Sequence, residues 1–128
     1  MLERWLKFNA VGLMGIVLQL AVLFTLVNVL KAHYLMATFL AVETAILHNF
    51  AWHEQWTWRD RASPGRQGMP ARLLRFHVAN GGVSMAGNLV LMGLFVGALG
   101  LPAIVANLAA ILICSCLNFL LSHFWVFD

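Results

Sequence analysis

Four long apolar runs, almost empty of charge, leave this chain few ways to fold. They cover residues 8–30, 34–52, 76–99 and 103–124, and the only formal charge inside them is Glu43. A helix needs about 20 apolar residues to cross the hydrocarbon core of a bilayer, so each run is long enough to span it. In lipid the backbone must satisfy its own hydrogen bonds, which leaves helices or a closed barrel. Runs of this length point to helices. The chain is 62% hydrophobic and 10% charged, against about 25% charged residues in a soluble domain. That much apolar surface cannot be hidden inside 128 residues. The expected fold class is therefore an all-α membrane protein with four transmembrane helices. Residues 1–7 are short and mixed in charge, and the run after them exceeds a signal h-region of about 7–15 residues, so it reads as a retained first span.

The connections set the topology. Lys31, Ala32 and His33 form a short turn between the first two runs, and Gly97, Gly100 and Pro102 mark the turn between the last two. The middle loop, about 53–75, is polar and punctuated by Ser63-Pro64-Gly65 and Gly68-Met69-Pro70. Arg4, Lys7, Arg59, Arg61, Arg66, Arg72 and Arg75 all fall on one side of this arrangement, with Lys31 alone opposite. Lys/Arg excess marks the cytoplasmic side, so both termini and the middle loop are expected in the cytoplasm. Trp5, Trp52, Trp56, Trp58 and Trp125 lie near the same face, where indoles favour the headgroup layer, and Tyr34 is the marker opposite. The net charge of +3 is thus accounted for by topology, with no nucleic-acid partner.

An offset of 69 residues aligns the two halves without gaps from Gly12 to Trp58. Gly12 meets Gly81, Asn49 meets Asn118, Phe50 meets Phe119, and Trp56 meets Trp125. One residue of slippage upstream then aligns Arg4 with Arg72, Lys7 with Arg75 and Phe8 with Phe76. Each copy holds an even number of spans, so the copies insert with the same orientation, as a parallel repeat. The expected organisation is two tandem helical hairpins in a single membrane domain, 1–128: repeat one at 4–58, a cytoplasmic loop at 59–71, and repeat two at 72–127.

The motif Phe8-x-x-Val11-Gly12-x-x-Gly15 opens the first span. Asn49-Phe50 followed by Trp56-Thr57-Trp58 closes the second, and Asn118-Phe119 followed by Trp125-Val126-Phe127 repeats that ending. In these features the chain resembles the GtrA-like family of small four-helix membrane proteins, over nearly its whole length. The resemblance implies a role in cell-surface polysaccharide synthesis at the bacterial inner membrane. It implies either translocation of a polyprenyl-phosphate-linked sugar or assistance to a glycosyltransferase. The family shows basic residues between Asn-Phe and the aromatic pair. Here those places hold His53-Glu54-Gln55 and Ser122-His123-Phe124.

Several residues are candidates for that chemistry. A carboxylate at mid-membrane is costly and tends to mark a pathway, so Glu43 could be a proton site, a cation site or an acceptor for sugar hydroxyls. The alternative is a protonated Glu43 that joins helices. Its repeat equivalent is Leu112, so any such site is asymmetric within one chain. Gly12, Gly15 and Gln19 share a helix face, as do Gly81, Ser84 and Asn88; helix packing and a polar groove both account for them. Asn49 and Asn118 either bind the headgroup, tie helices together or cap a helix end, and His48 and His53, whose residue type titrates near neutral pH, lie beside the first. Lys7, Arg59, Arg61, Arg72 and Arg75 could capture a lipid phosphate, with Lys7 and Arg75 first because they recur. Attraction to anionic lipid explains the same charges. Cys114 and Cys116 read as small packing residues, since positions i and i+2 point to different helix faces.

There is no Walker motif, no nucleophile beside a base, no metal spacing and no sequence implying a cofactor. The expectation is a non-enzyme that flips the lipid-linked sugar. Its headgroup would enter near the basic residues and cross along Glu43, Gln19 and Asn88. Four helices make a thin wall, so a homo-oligomer, dimer or larger, is expected. Two other readings stand beside it: a non-transporting partner of a glycosyltransferase, and a proton-coupled exporter of small cations.

Overall fold

A computed structural model describes residues 1–61 and 68–128. Ser63-Pro64-Gly65 and Arg66 lie outside the described residues. Contacts divide the chain into two compact units, Met1–Asp60 and Arg61–Asp128.

In the first unit, α1 (Leu2–Phe24) ends in a π-helical turn, Thr25–Val29. After a tight bend comes α2 (Tyr34–Trp52), which ends in a second π-helical turn, His53–Thr57. In the second unit, α3 (Met69–His77), a π-helical turn (Val78–Gly82), α4 (Val83–Met92) and another such turn (Gly93–Ala98) form one continuous helix. The α5 helix (Ala103–Leu121) then ends in the turn Ser122–Val126. Within each unit the long helices pack as an antiparallel hairpin, α1 on α2 and α4 on α5. Among the described residues, four helices are long and apolar enough to cross a membrane: Leu2–Val29, Tyr34–Thr57, Met69–Ala98 and Val105–Val126. The molecule is a multi-pass all-α membrane protein.

The helices outrun the apolar stretches that mark them. The first begins six residues before residue 8 and the third seven before residue 76. Residues 69–71, read as loop, are helical, with Pro70 in the first turn, where its missing N–H costs nothing. Hydropathy reports only where hydrocarbon is the solvent, whereas a helix continues through the headgroup layer as long as its backbone bonds close. Gly97 likewise lies inside a helical turn. The second bend comprises residues 99–102, with Gly100 at φ 67°. Its counterpart in the first unit is Lys31 at φ 58°.

Midway along each hairpin the seam between the helices is built of small residues and the exterior of large ones, while the large buried side chains, Trp58, Phe76 and Phe127 among them, gather at one end. On α2, Ala37, Ala41 and Ala45 are buried in a row that leads to Asn49, which meets Gly15 of α1. On α5, Ala106, Ala110 and Cys114 form the same row, leading to Asn118. Leu13, Val17, Met85 and Leu89 are meanwhile each about two-thirds exposed or more. Lipid tails are as apolar as leucine, so no hydrophobic force drives large side chains inward. Small residues let the backbones approach instead. The hydroxyls of Thr25, Thr38 and Thr44 each return a hydrogen bond to the carbonyl four residues back, at 2.7–2.8 Å, so none needs water.

Candidate functional site

With Lys31 in the bend of the first as the exception among the described residues, each hairpin gathers its basic residues at one end. In the first unit, the early turns of α1 and the turn after α2 meet there. Phe8 stacks on His53 with ring centres 5.0 Å apart, and Trp58 stands edge-on to both, at 6.1 Å from Phe8 and 5.3 Å from His53. His53 shares a 2.9 Å hydrogen bond with Thr57 Oγ1. His53 and Trp58 are essentially fully buried. Both differ from expectation: the sequence places Trp58 in the headgroup belt and gives His53 no task, whereas together they form the floor of this end. The π-helical turn brings this about, since it feeds residue 53 and residue 58 into the same interior.

Above that floor, Lys7 Nζ lies 5.4 Å from the centre of the Trp56 ring and 2.8 Å from Glu3 Oε1. Arg4 Nη2 donates to Asp60 Oδ2 at 2.7 Å, while its Nη1 is buried with no hydrogen-bond partner among the described residues. Glu3, Arg4, Lys7, Trp56, Arg59 and Asp60, with Thr57 beneath, enclose an open cavity of about 510 Å³. Its walls hold three cations against two carboxylates.

In the second unit, Arg75 Cζ lies 5.7 Å from the centre of the Trp125 ring, and Nη1 donates to the Trp125 carbonyl at 3.2 Å. Phe76 meets Phe127 edge-on at 6.4 Å. Arg61 donates to the His123 carbonyl at 2.7 Å and lies 3.3 Å from His123 Nε2. Arg72 is 5% exposed, a buried and engaged guanidinium more than a free phosphate ligand. Here the neighbouring concavity is an apolar groove of about 530 Å³, lined by Ala79, Gly82, Ala86, Gly87, Leu117 and Trp125 among others.

The pairs Lys7–Trp56 and Arg75–Trp125 correspond under the sequence offsets, as do Phe8–Trp58 and Phe76–Phe127. The slippage between offsets has a physical location. It falls between Phe76 and Gly81, where the second unit has the π-helical turn Val78–Gly82 and α1 runs unbroken. A π-helical turn accommodates one extra residue without rotating what lies beyond it. The insertion therefore leaves Arg75 and Phe76 facing as Lys7 and Phe8 do.

The mid-span candidates fare differently. Gln19 lies one turn beyond Gly15 on α1, and Glu43 lies on α2; both are half-buried. Asn88 gives its amide to the Ser84 carbonyl at 2.6 Å, so this donor is spent on its own helix. Asn118 donates to Ser84 Oγ at 3.1 Å, and its own Oδ1 is buried with no partner among the described residues. Asn49 Oδ1 accepts a hydrogen bond from His48 Nδ1 at 3.1 Å, and the Asn49 amide fills the space over Gly15. Gly12 and Gly81, read as packing positions, open onto empty space, whereas Gly87, which the sequence did not single out, lies under Cys114 Sγ. Cys114 is buried and Cys116 exposed. No group of three or more His, Cys, Asp or Glu suited to a metal occurs among the described residues.

The model of the GtrA/DPMS transmembrane domain matches residues 7–127, nearly the whole chain. This chain belongs to that family. Within the GtrA/DPMS family, it is 35% identical over 112 residues to a dolichol-phosphate mannosyltransferase from Pyrococcus furiosus. The match takes in 88% of this chain and 30% of that enzyme, so the chain spans under a third of its relative's length. The stretch matched by the family model begins at Lys7, and so includes both cation–indole pairs.

Proposed function

We propose that this chain serves cell-surface polysaccharide synthesis by moving the headgroup of a polyprenyl-phosphate-linked sugar across the bacterial inner membrane, without itself catalysing a reaction. The observation that carries this reading is the cation held over an indole at the basic end of each hairpin, Lys7 on Trp56 and Arg75 on Trp125. A cation beside an interfacial tryptophan is placed for a phosphate at headgroup depth, and the ring holds it there between encounters. Family membership supports the lipid class. The basic ends face the cytoplasm in this reading, and Glu43 with Gln19 offers hydroxyl acceptors partway across. A homo-oligomer thickens the wall around the path.

The test uses purified protein in proteoliposomes with a short-chain polyprenyl-phosphate hexose, its outward headgroup followed by a membrane-impermeant oxidant. Lys7→Ala and Arg75→Ala each slow translocation roughly tenfold, the worth of one charge-assisted contact. Glu43→Gln slows it as well. Wild-type rates in both arginine and lysine variants would discard the phosphate assignment, and an unchanged rate in Glu43→Gln would discard the path through Glu43.

The relative named above favours a second reading, in which the chain positions a separate glycosyltransferase that acts on the same lipid. Translocation by the purified chain alone excludes this as the full account.

A further inference from the structure

Several residues lining the cavity at the basic end of the first unit are not repeated at the corresponding positions of the second. Glu3 corresponds to Ala71, Thr57 to Val126 and Arg59 to Asp128. Duplication alone therefore does not explain this set of charges. Arg4 presents a buried Nη1 with no acceptor among the described residues, and a buried guanidinium donor left unmade is costly. Lys7 is tied to Glu3 only by a pair whose carboxylate side is 78% exposed, an ion pair of little worth and easily exchanged. Arg59 is exposed on the same wall.

The two carboxylates decide what kind of anion fits. Ionised Glu3 and Asp60 only accept hydrogen bonds. They repel a bare phosphate brought to Arg4 and Lys7, but they welcome hydroxyl groups that donate. A ligand satisfying both walls has a phosphate at one end and a polyol at the other. The volume, about 510 Å³, lies in the usual range of about 300–1,000 Å³ for small-molecule sites.

We propose that this cavity is a glycosyl-phosphate site, with the phosphate on Arg4, Lys7 and Arg59 and the sugar hydroxyls on Glu3 and Asp60. The proposal rests on the lipid-linked sugar reading for its ligand class, and assigns headgroup selection to the first unit. When the ligand arrives, Arg4 and Lys7 turn toward phosphate oxygens, and the sugar hydroxyls donate to the carboxylates of Glu3 and Asp60.

The experiment is calorimetric titration of the full chain in detergent with three soluble probes: a hexose 1-phosphate, inorganic phosphate and the free hexose. The hexose 1-phosphate binds at least tenfold more tightly than either other probe. Arg4→Gln and Arg59→Gln each weaken it severalfold. Asp60→Asn frees Arg4, so inorganic phosphate binds more tightly while the preference for the hexose 1-phosphate shrinks. Equal affinity for hexose 1-phosphate and inorganic phosphate overturns the proposal, as does an unaltered preference in Asp60→Asn. Helicity by circular dichroism confirms that each variant is folded, and the exposed Arg59 gives a variant that cannot fail for lack of a core. If probe binding is absent while translocation still responds to Lys7→Ala and Arg75→Ala, this site falls and the transport reading stands. If binding follows this pattern while purified protein moves no headgroup, transport falls and the site stands.

Discussion

Two glycines three residues apart on one helix can face quite different surroundings. A Cβ on Gly15 would collide with the Asn49 amide, whereas one on Gly12 would meet nothing within 4 Å. Gly15→Ala is therefore expected to cost about 1–3 kcal/mol, the usual toll of overpacking. Gly12→Ala is expected to be neutral or stabilising by up to about 1 kcal/mol, because alanine is the better helix former. Thermal unfolding in detergent separates the two. The motif gave both glycines the same standing, since spacing places residues on a face without showing what lies opposite. His53 and Trp58 were opaque for a related reason. Their residue types favour an interface, and only the π-helical turn that precedes Trp58 directs both inward. Lys7 and Arg75 were legible because they recur, and recurrence depends on neither burial nor rotamer.

At the scale of elements, the apolar runs located four helices but not their ends, which continue into polar sequence. The one-residue slippage between the halves was visible, and its structural cause was not. If Val78–Gly82 simply absorbs an extra residue, deleting Asn80 should let the segment close as α-helix with Phe76 still against Phe127. Deleting Leu89 from α4 removes a residue from a regular helix and turns everything on one side by about 100°. The expected outcome is a folded, thermally stable protein for the first deletion and loss of folded protein for the second, read by size-exclusion chromatography and unfolding temperature.

For the whole molecule, charge sorting was the most legible property, and it leads to a prediction about orientation. Reporter fusions at residue 1 and residue 128 are both expected to be active in the cytoplasm, because the Lys/Arg excess lies on that side of every hairpin. Opposite compartments for the two ends would remove the even-spanning topology on which the transport path depends. The cavity beside Arg4 was the least legible feature at this scale. Its six polar and aromatic walls come from both ends of the first sixty residues, and Glu3, Arg4 and Asp60 have no spacing that links them.

The rows at Ala37, Ala41 and Ala45, and at Ala106, Ala110 and Cys114, invert the usual rule of protein cores. Cohesion between the paired helices comes from what these side chains omit, so it should fall as methylenes are added. Randomising residues 37, 41 and 45 and selecting for folded protein would recover glycine, alanine and serine. The same selection at residues 13 and 17 would accept almost any greasy side chain, leaving the sequence free to drift on its outer surface and confined along a narrow seam.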